Sequence, residues 1–209
     1  MLFDCDNTLV MSEELAFEAC ADVANEILAK HDITDRYTGE QLIQDFVGQN
    51  FRGMMVSLQA KYGFEMTKEE FDHYVKEEEN QVIAKLEAKG EPCVGVNEEL
   101  ETLYREGKYD LAVVSSSALR RVRASIKKVG QDKYFKPDHI FSAATSFPTP
   151  TSKPDPAIYL GMVAEYSTYT AANVSALRSE GRMALYGYEP EGRLIAVAGV
   201  TDEAQLLRA

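Results

Sequence analysis

Apolar residues recur every fourth position at Leu15, Ala19, Val23 and Ile27, the spacing of one helix face, and Ser12 stands before them as an expected N-cap. Further along, Thr67 followed by Glu70 has the form of a capping box. It opens a long helical pattern through Phe71, Tyr74, Val75, Val82, Ile83 and Leu86, which Gly90 is expected to stop. Helical spacing also runs through the segment between them, so residues 12–92 read as an all-helical block. The period changes after Pro92. A helix is predicted over 97–106, with Asn97 as cap and Gly107 as stop, and then a continuous apolar run at 111–114 suited to a buried parallel strand. Ser115, Ser116 and Ser117 are expected to end that strand and cap a basic helix over 120–128. A weaker strand at 140–143 follows, then a loop rich in Pro, Thr and Ser that leads to Lys153. Strands alternating with helices predict an α/β fold with a Rossmann-like parallel sheet. Its core is assigned to residues 1–11 and 93–209, and the helical block 12–92 is an insertion after the first strand.

Composition narrows the function. A chain of 209 residues with 45% hydrophobic content can bury a substantial core. The net charge of -12 argues against a nucleic-acid binder, which ordinarily carries a basic face. No apolar run is long enough to span a bilayer and no signal-peptide pattern precedes Asp4, so no membrane association is expected. Cys5, Cys20 and Cys93 form neither a metal-binding pair nor an even disulfide set, which suits a reduced, cytoplasmic protein.

The chemistry gathers around the opening stretch MLFDCDNTLV. Asp4 and Asp6 are two residues apart after an apolar run, so strand geometry brings them out side by side, and their like charges require compensation. In an open parallel sheet, ligands collect at the carboxyl ends of the strands. Asp4, Asp6, Ser115 and Lys153 are all expected there. Two acids, a hydroxyl and an ammonium suit a phosphate ester. A carboxylate can attack phosphorus, provided that a divalent cation neutralises both anions. Asp6, if protonated, can donate to the leaving alkoxide. Ser115 and Lys153 can hold the phosphoryl oxygens as charge spreads over them.

FDCDNTLV, AVVSSS and SKPDPAIYL together resemble the first three motifs of the haloacid dehalogenase-like hydrolases, over residues 1 to about 161. Their order and spacing resemble the subgroup with a helical cap after the first motif, which includes beta-phosphoglucomutase and many sugar-phosphate phosphatases. The resemblance implies that Asp4 is the nucleophile, Asp6 the general acid/base, Ser115 the second-motif hydroxyl and Lys153 the third-motif lysine. It implies Mg2+ as cofactor, held by Asp4, by the backbone carbonyl of Asp6 and by a fourth-motif acid. The expected activity is a Mg-dependent phosphatase of a small phosphorylated metabolite, working through an aspartyl-phosphate. A phosphomutase is the same chemistry directed to another acceptor.

The fourth motif departs from the pattern. Glu165-Tyr166-Ser167 falls on what should be a helix, with no strand and no paired acids around it. A strand and a loop are either missing before Val174, or residues 183–188 and 193–200 form a hairpin unrelated to the family. An inactive, phosphate-binding or structural relic is therefore the alternative to an enzyme. Arg52, read on a polar loop within the helical block, and Ser116 are the expected substrate contacts. The basic run 120–128 reads as a solvated helix face, Asp155 as an N-cap, Cys5 as core packing, and His31, His73 and His139 as surface. The oligomeric state is not written in the sequence.

Overall fold

The computed structural model describes residues 1–46, 49–146, 148–153 and Ile158, together with the backbone of 174–179, 182–188 and 194–199. Among the described residues, three short strands form a parallel sheet: β1 (Leu2–Phe3), β4 (Ala112–Ser115) and β5 (Ile140–Ser142), in the order β1-β4-β5. Leu2 pairs with Ala112 and Phe3 with Val113, while Ser115 pairs with Ser142. Alternate residues of β4 serve opposite faces of the sheet. Val113 belongs to one buried cluster with Cys5, Leu9, Val122, Ile126 and Ile140, and Ala112 and Val114 belong to another with Phe141 and Ile158. A strand buried on both faces is apolar throughout, which is why 111–114 reads as an unbroken run.

Between Met11 and Glu91 the described residues form four helices: α1 (Glu13–Lys30), α2 (Gly39–Asp45), α3 (Phe51–Tyr62) and α4 (Lys68–Lys89). They enclose a cluster of their own that includes Ile27, Leu28, Leu42, Met54, Met55 and Leu58. The fold is a Rossmann-like α/β core with an inserted helical cap. The two are joined through α1 and α4, whose ends nearest the sheet (Ala16, Ala19, Val82 and Leu86) are buried in the core cluster. The block is not purely helical at its edges: β2 (Val10–Met11) pairs antiparallel with β3 (Glu91–Pro92), so the outgoing and returning chains are stitched together.

Several helix ends differ from their expected chemistry. Thr67 and Glu70 form the reciprocal capping box as predicted. Gly90 ends α4 with extended rather than left-handed backbone; a Cβ there would lie 2.5 Å from the Leu86 carbonyl oxygen, so close approach is what requires glycine. The next helix, α5 (Val96–Glu106), starts after Gly95. Asn97 makes no cap and instead donates to the Val129 carbonyl. The basic helix α6 (Leu119–Lys128) follows Ala118, and the Leu119 N–H is satisfied by Thr145 Oγ1 at 2.9 Å rather than by the preceding serines. His139 is buried beside the Leu111 carbonyl, not on the surface.

Beyond residue 173 the described backbone forms an antiparallel meander of β6 (Val174–Ser179), β7 (Arg182–Tyr188) and β8 (Leu194–Gly199). The pairing of β7 with β8 corresponds to the hairpin alternative for this segment. The expected N-cap Asp155 and the Glu165-Tyr166-Ser167 stretch lie outside the described residues. Among the described residues, no helix is long and apolar enough to cross a membrane.

Candidate active site

Asp4 follows β1 directly, at the carboxyl end of the sheet. Lys153 reaches it from the loop after β5, with Nζ 2.5 Å from Asp4 Oδ1. That loop is anchored to the sheet in two places. The Lys153 N–H donates to Ser116 Oγ at 3.0 Å, and the Thr151 N–H donates to the Ala143 carbonyl at 2.9 Å. Asp4 remains partly open, its side chain 43% exposed, and among the described residues its other oxygen accepts only a long 3.4 Å bond from Thr8 Oγ1.

Asp6 is held quite differently. Oδ1 accepts from Ser12 Oγ at 2.7 Å and from Arg121 Nη2 at 3.0 Å, and Oδ2 accepts from Ser117 Oγ at 2.8 Å and Ser115 Oγ at 3.2 Å. Burial pushes the Asp6 carboxyl up, but Arg121 and then the hydroxyls of Ser12, Ser117 and Ser115 outweigh it, leaving the group below the usual aspartate range. In this arrangement Asp6 is an ionised, fully engaged carboxylate. Cys5, between the two acids, is fully buried on the opposite side; burial and the neighbouring acids hold its thiol protonated.

The tight turn after Asp6 depends on Asn7, whose φ of 53° lies in the left-handed region that Asn tolerates better than most residues. Asn7 Oδ1 accepts from the N–H groups of Ser12 and Glu13, so it caps the start of α1. Ser12 makes no cap of its own, because its hydroxyl is committed to Asp6.

The structure thus joins Asp4 to Lys153, and Asp6 to Ser115, while Ser116 supports the lysine loop. Arg52 is not on a loop: it sits in the first turn of α3, paired with Asp72 at 3.1 Å and 5.5 Å above the Phe71 ring, with no contact to these groups. The sequence pattern does not mark Ser12, Ser117 or Arg121 as site residues. The signal for Arg121 is its place beside Val122, Ser125 and Ile126, the buried stripe of α6, which sets it apart from the exposed cations of the same helix.

A divalent cation would find two oxygens here. The Asp4 carboxylate has a nearly free Oδ2, and the Asp6 carbonyl accepts no hydrogen bond from a described residue. The Asp6 carboxylate fits less well, since both its oxygens are engaged. Among the described residues, no three acidic, histidine or cysteine side chains converge on one point. The chemistry of the donor set suits magnesium, which takes one or two carboxylates and completes its shell with water and substrate phosphate.

Solved structures share the fold, among them the three that follow. One is a predicted phosphoglycolate phosphatase from Haemophilus somnus 129PT, 23% identical, covering 79% of this chain and 70% of that one with a TM-score of 0.61. CbbY from Rhodobacter sphaeroides, solved with xylulose-(1,5)bisphosphate, is 20% identical, with coverage of 78% and 70% and a TM-score of 0.60. A HAD family hydrolase from Deinococcus radiodurans R1, solved with phosphate and sodium, is 23% identical, with coverage of 78% and 65% and a TM-score of 0.52. The chain therefore spans 65% to 70% of the length of these three proteins. Among curated proteins, none matches the sequence. Residues 1–174 match the family of haloacid dehalogenase-like hydrolases, ending where the antiparallel meander begins, and the chain belongs to that family.

Proposed function

We propose that the protein is a phosphoric monoester hydrolase that acts on a small phosphorylated metabolite through an aspartyl-phosphate at Asp4. The observation that carries this reading is the contact of Lys153 Nζ with Asp4 Oδ1 at 2.5 Å, at the carboxyl end of a parallel sheet. A lysine there offsets the charge of the attacking carboxylate and can hold a phosphoryl oxygen. An Asp4 oxygen forms a bond to phosphorus as the bond from phosphorus to the ester oxygen breaks, and the leaving oxygen takes up a proton. Water then attacks phosphorus, gives up its proton, and releases inorganic phosphate and Asp4. Asp6 is the group to exchange those protons. Since four donors hold it ionised in this arrangement, it has to turn out of its pocket, protonated, to act as an acid. Magnesium, which the family generally uses, would be held by the Asp4 carboxylate and the Asp6 carbonyl and would supply charge neutralisation between carboxylate and phosphate. Helices α1–α4 act as a cap over the site, with Arg52 and Ser116 as substrate contacts. The phosphate and sugar bisphosphate bound by two proteins of the same fold are compatible with this substrate class.

The saturated Asp6 carboxylate also favours a second reading, in which the chain binds phosphate without turning it over. A panel of small phosphorylated metabolites, assayed for inorganic phosphate with and without magnesium against the Asp4→Asn variant, separates the two. Magnesium-dependent release that the variant lacks supports the hydrolase. Equal, background release from both proteins across the panel overturns it. An isomeric phosphate ester in place of inorganic phosphate identifies a phosphomutase.

A further inference from the structure

Arg121 is satisfied on one side only. Its Nη2 donates to Asp6 Oδ1 at 3.0 Å, while its Nε is buried and has no hydrogen-bond partner among the described residues. Leaving a buried donor unpaired forfeits its hydration with nothing in return, so such groups are rare and call for an explanation.

An acceptor waits across the seam between α6 and the cap helix α4. The adjacent residue, Arg120, fixes the register of that seam: its Nε donates to Glu79 Oε1 at 3.2 Å and its Nη2 to Asn80 Oδ1 at 2.7 Å. Glu78, which precedes Glu79 in α4, is half-buried, and its Oε1 is met by a weak donor, the Cys20 thiol at 3.3 Å. Burial raises the Glu78 carboxyl above the ordinary value, with Cys20 and then Arg121 pulling the other way. The ion pair of Arg121 is with Asp6. A guanidinium with an unpartnered Nε on α6 and a carboxylate met by a thiol on α4 thus belong to two helices that Arg120 already joins.

We propose that Arg121 is a positioning residue that holds Asp6 aside in the present arrangement and passes to Glu78 when the cap shifts, freeing the Asp6 carboxyl to face the phosphoryl group. The proposal rests on the hydrolase reading for its purpose, but the handover itself does not depend on turnover. It gives the cap a second task besides excluding water: a guanidinium with two alternative acceptors is a two-state element, and the position of α4 chooses between them. Lysine in place of Arg121 could still pair with either acid, though without the planar fork.

The test combines kinetics with a resonance. Glu78→Gln is expected to lower kcat on p-nitrophenyl phosphate by about tenfold while KM stays within about twofold. The Arg121→Met/Glu78→Gln double variant is expected to match Arg121→Met alone, because without Arg121 there is nothing for Glu78 to draw off Asp6. A wild-type kcat in Glu78→Gln, or losses that simply add, overturns the proposal. In 15N-labelled protein the Arg121 Nε–H resonance, assigned with Arg121→Lys, is expected to move on addition of orthovanadate in the wild type and to stay in Glu78→Gln. A resonance unmoved in the wild type overturns the handover even if the protein hydrolyses esters. A resonance that moves in a protein without turnover supports the handover and refutes the hydrolase reading alone.

Discussion

Lys153 and Asp4 are 149 residues apart in the chain and 2.5 Å apart in space. Everything between them, cap included, is folded so that one ammonium meets one carboxylate at the end of β1. If Asp4 is the nucleophile, Asp4→Asn should reduce turnover by more than about a hundredfold with an unchanged circular dichroism spectrum, since amide and carboxylate are nearly isosteric. Residual activity above roughly one hundredth of the wild type would remove Asp4 from that role.

Two carboxylates with opposite shifts should shape stability against pH. Asp6 sits below its ordinary 3.8, so its contribution is present above that value and is lost as pH falls through the depressed one. Arg121→Met removes the largest opposing influence on a buried carboxylate, so the acid-side fall in Tm should move to higher pH. Glu78 is raised above 4.5; its contribution is present below that value and is lost as pH rises through the elevated one. Glu78→Gln should accordingly have a higher Tm than the wild type at pH about 7. Thermal scans across pH check both, and coincident wild-type and variant curves would contradict them.

Arg52 makes its contacts within the cap, to Asp72 and Phe71. As a substrate contact it would act only after the cap moves over the site. Arg52→Ala should then raise KM for a physiological ester more than for p-nitrophenyl phosphate. Equal effects on the two substrates refute a specificity role.

Magnesium binding should be weak without substrate. The Asp6 carboxylate is engaged by Arg121 and three serines, which leaves Asp4 to supply the formal charge. Titration calorimetry is expected to give an affinity weaker than about millimolar. Tight binding would mean that another carboxylate reaches the site, Glu165 being the first to replace by glutamine.

The junction between α4 and β3 should be sensitive at Gly90. A Cβ there meets the Leu86 carbonyl oxygen at 2.5 Å, whereas at Gly63, with φ of 69°, it meets nothing within 4 Å. Gly63→Ala should cost about 1–2 kcal/mol, the ordinary penalty of a left-handed side chain. Gly90→Ala has to displace backbone beside β3 and should cost more. Urea denaturation of the two variants decides it.

What the sequence determined by itself is local. The capping box at Thr67 and Glu70, the helix face of Ala19, Val23 and Ile27, and the apolar run of β4 are all read from neighbours within a few residues, because backbone periodicity fixes which side chains share a face. The order of the motifs also gave the parallel sheet and the inserted cap. What only the tertiary structure decided is where each hydroxyl and guanidinium is spent. Ser12 and the serines after β4 read as helix caps, yet Asn7 and Thr145 do that capping, and the hydroxyls of Ser12, Ser115 and Ser117 turn to Asp6. Arg121 looked like one more solvated cation in a basic run, and it is the ion-pair partner of the second acid. A short polar side chain satisfies whichever partner lies nearest in space, and that partner can be over a hundred residues away, so a one-dimensional pattern records the donor but not its acceptor.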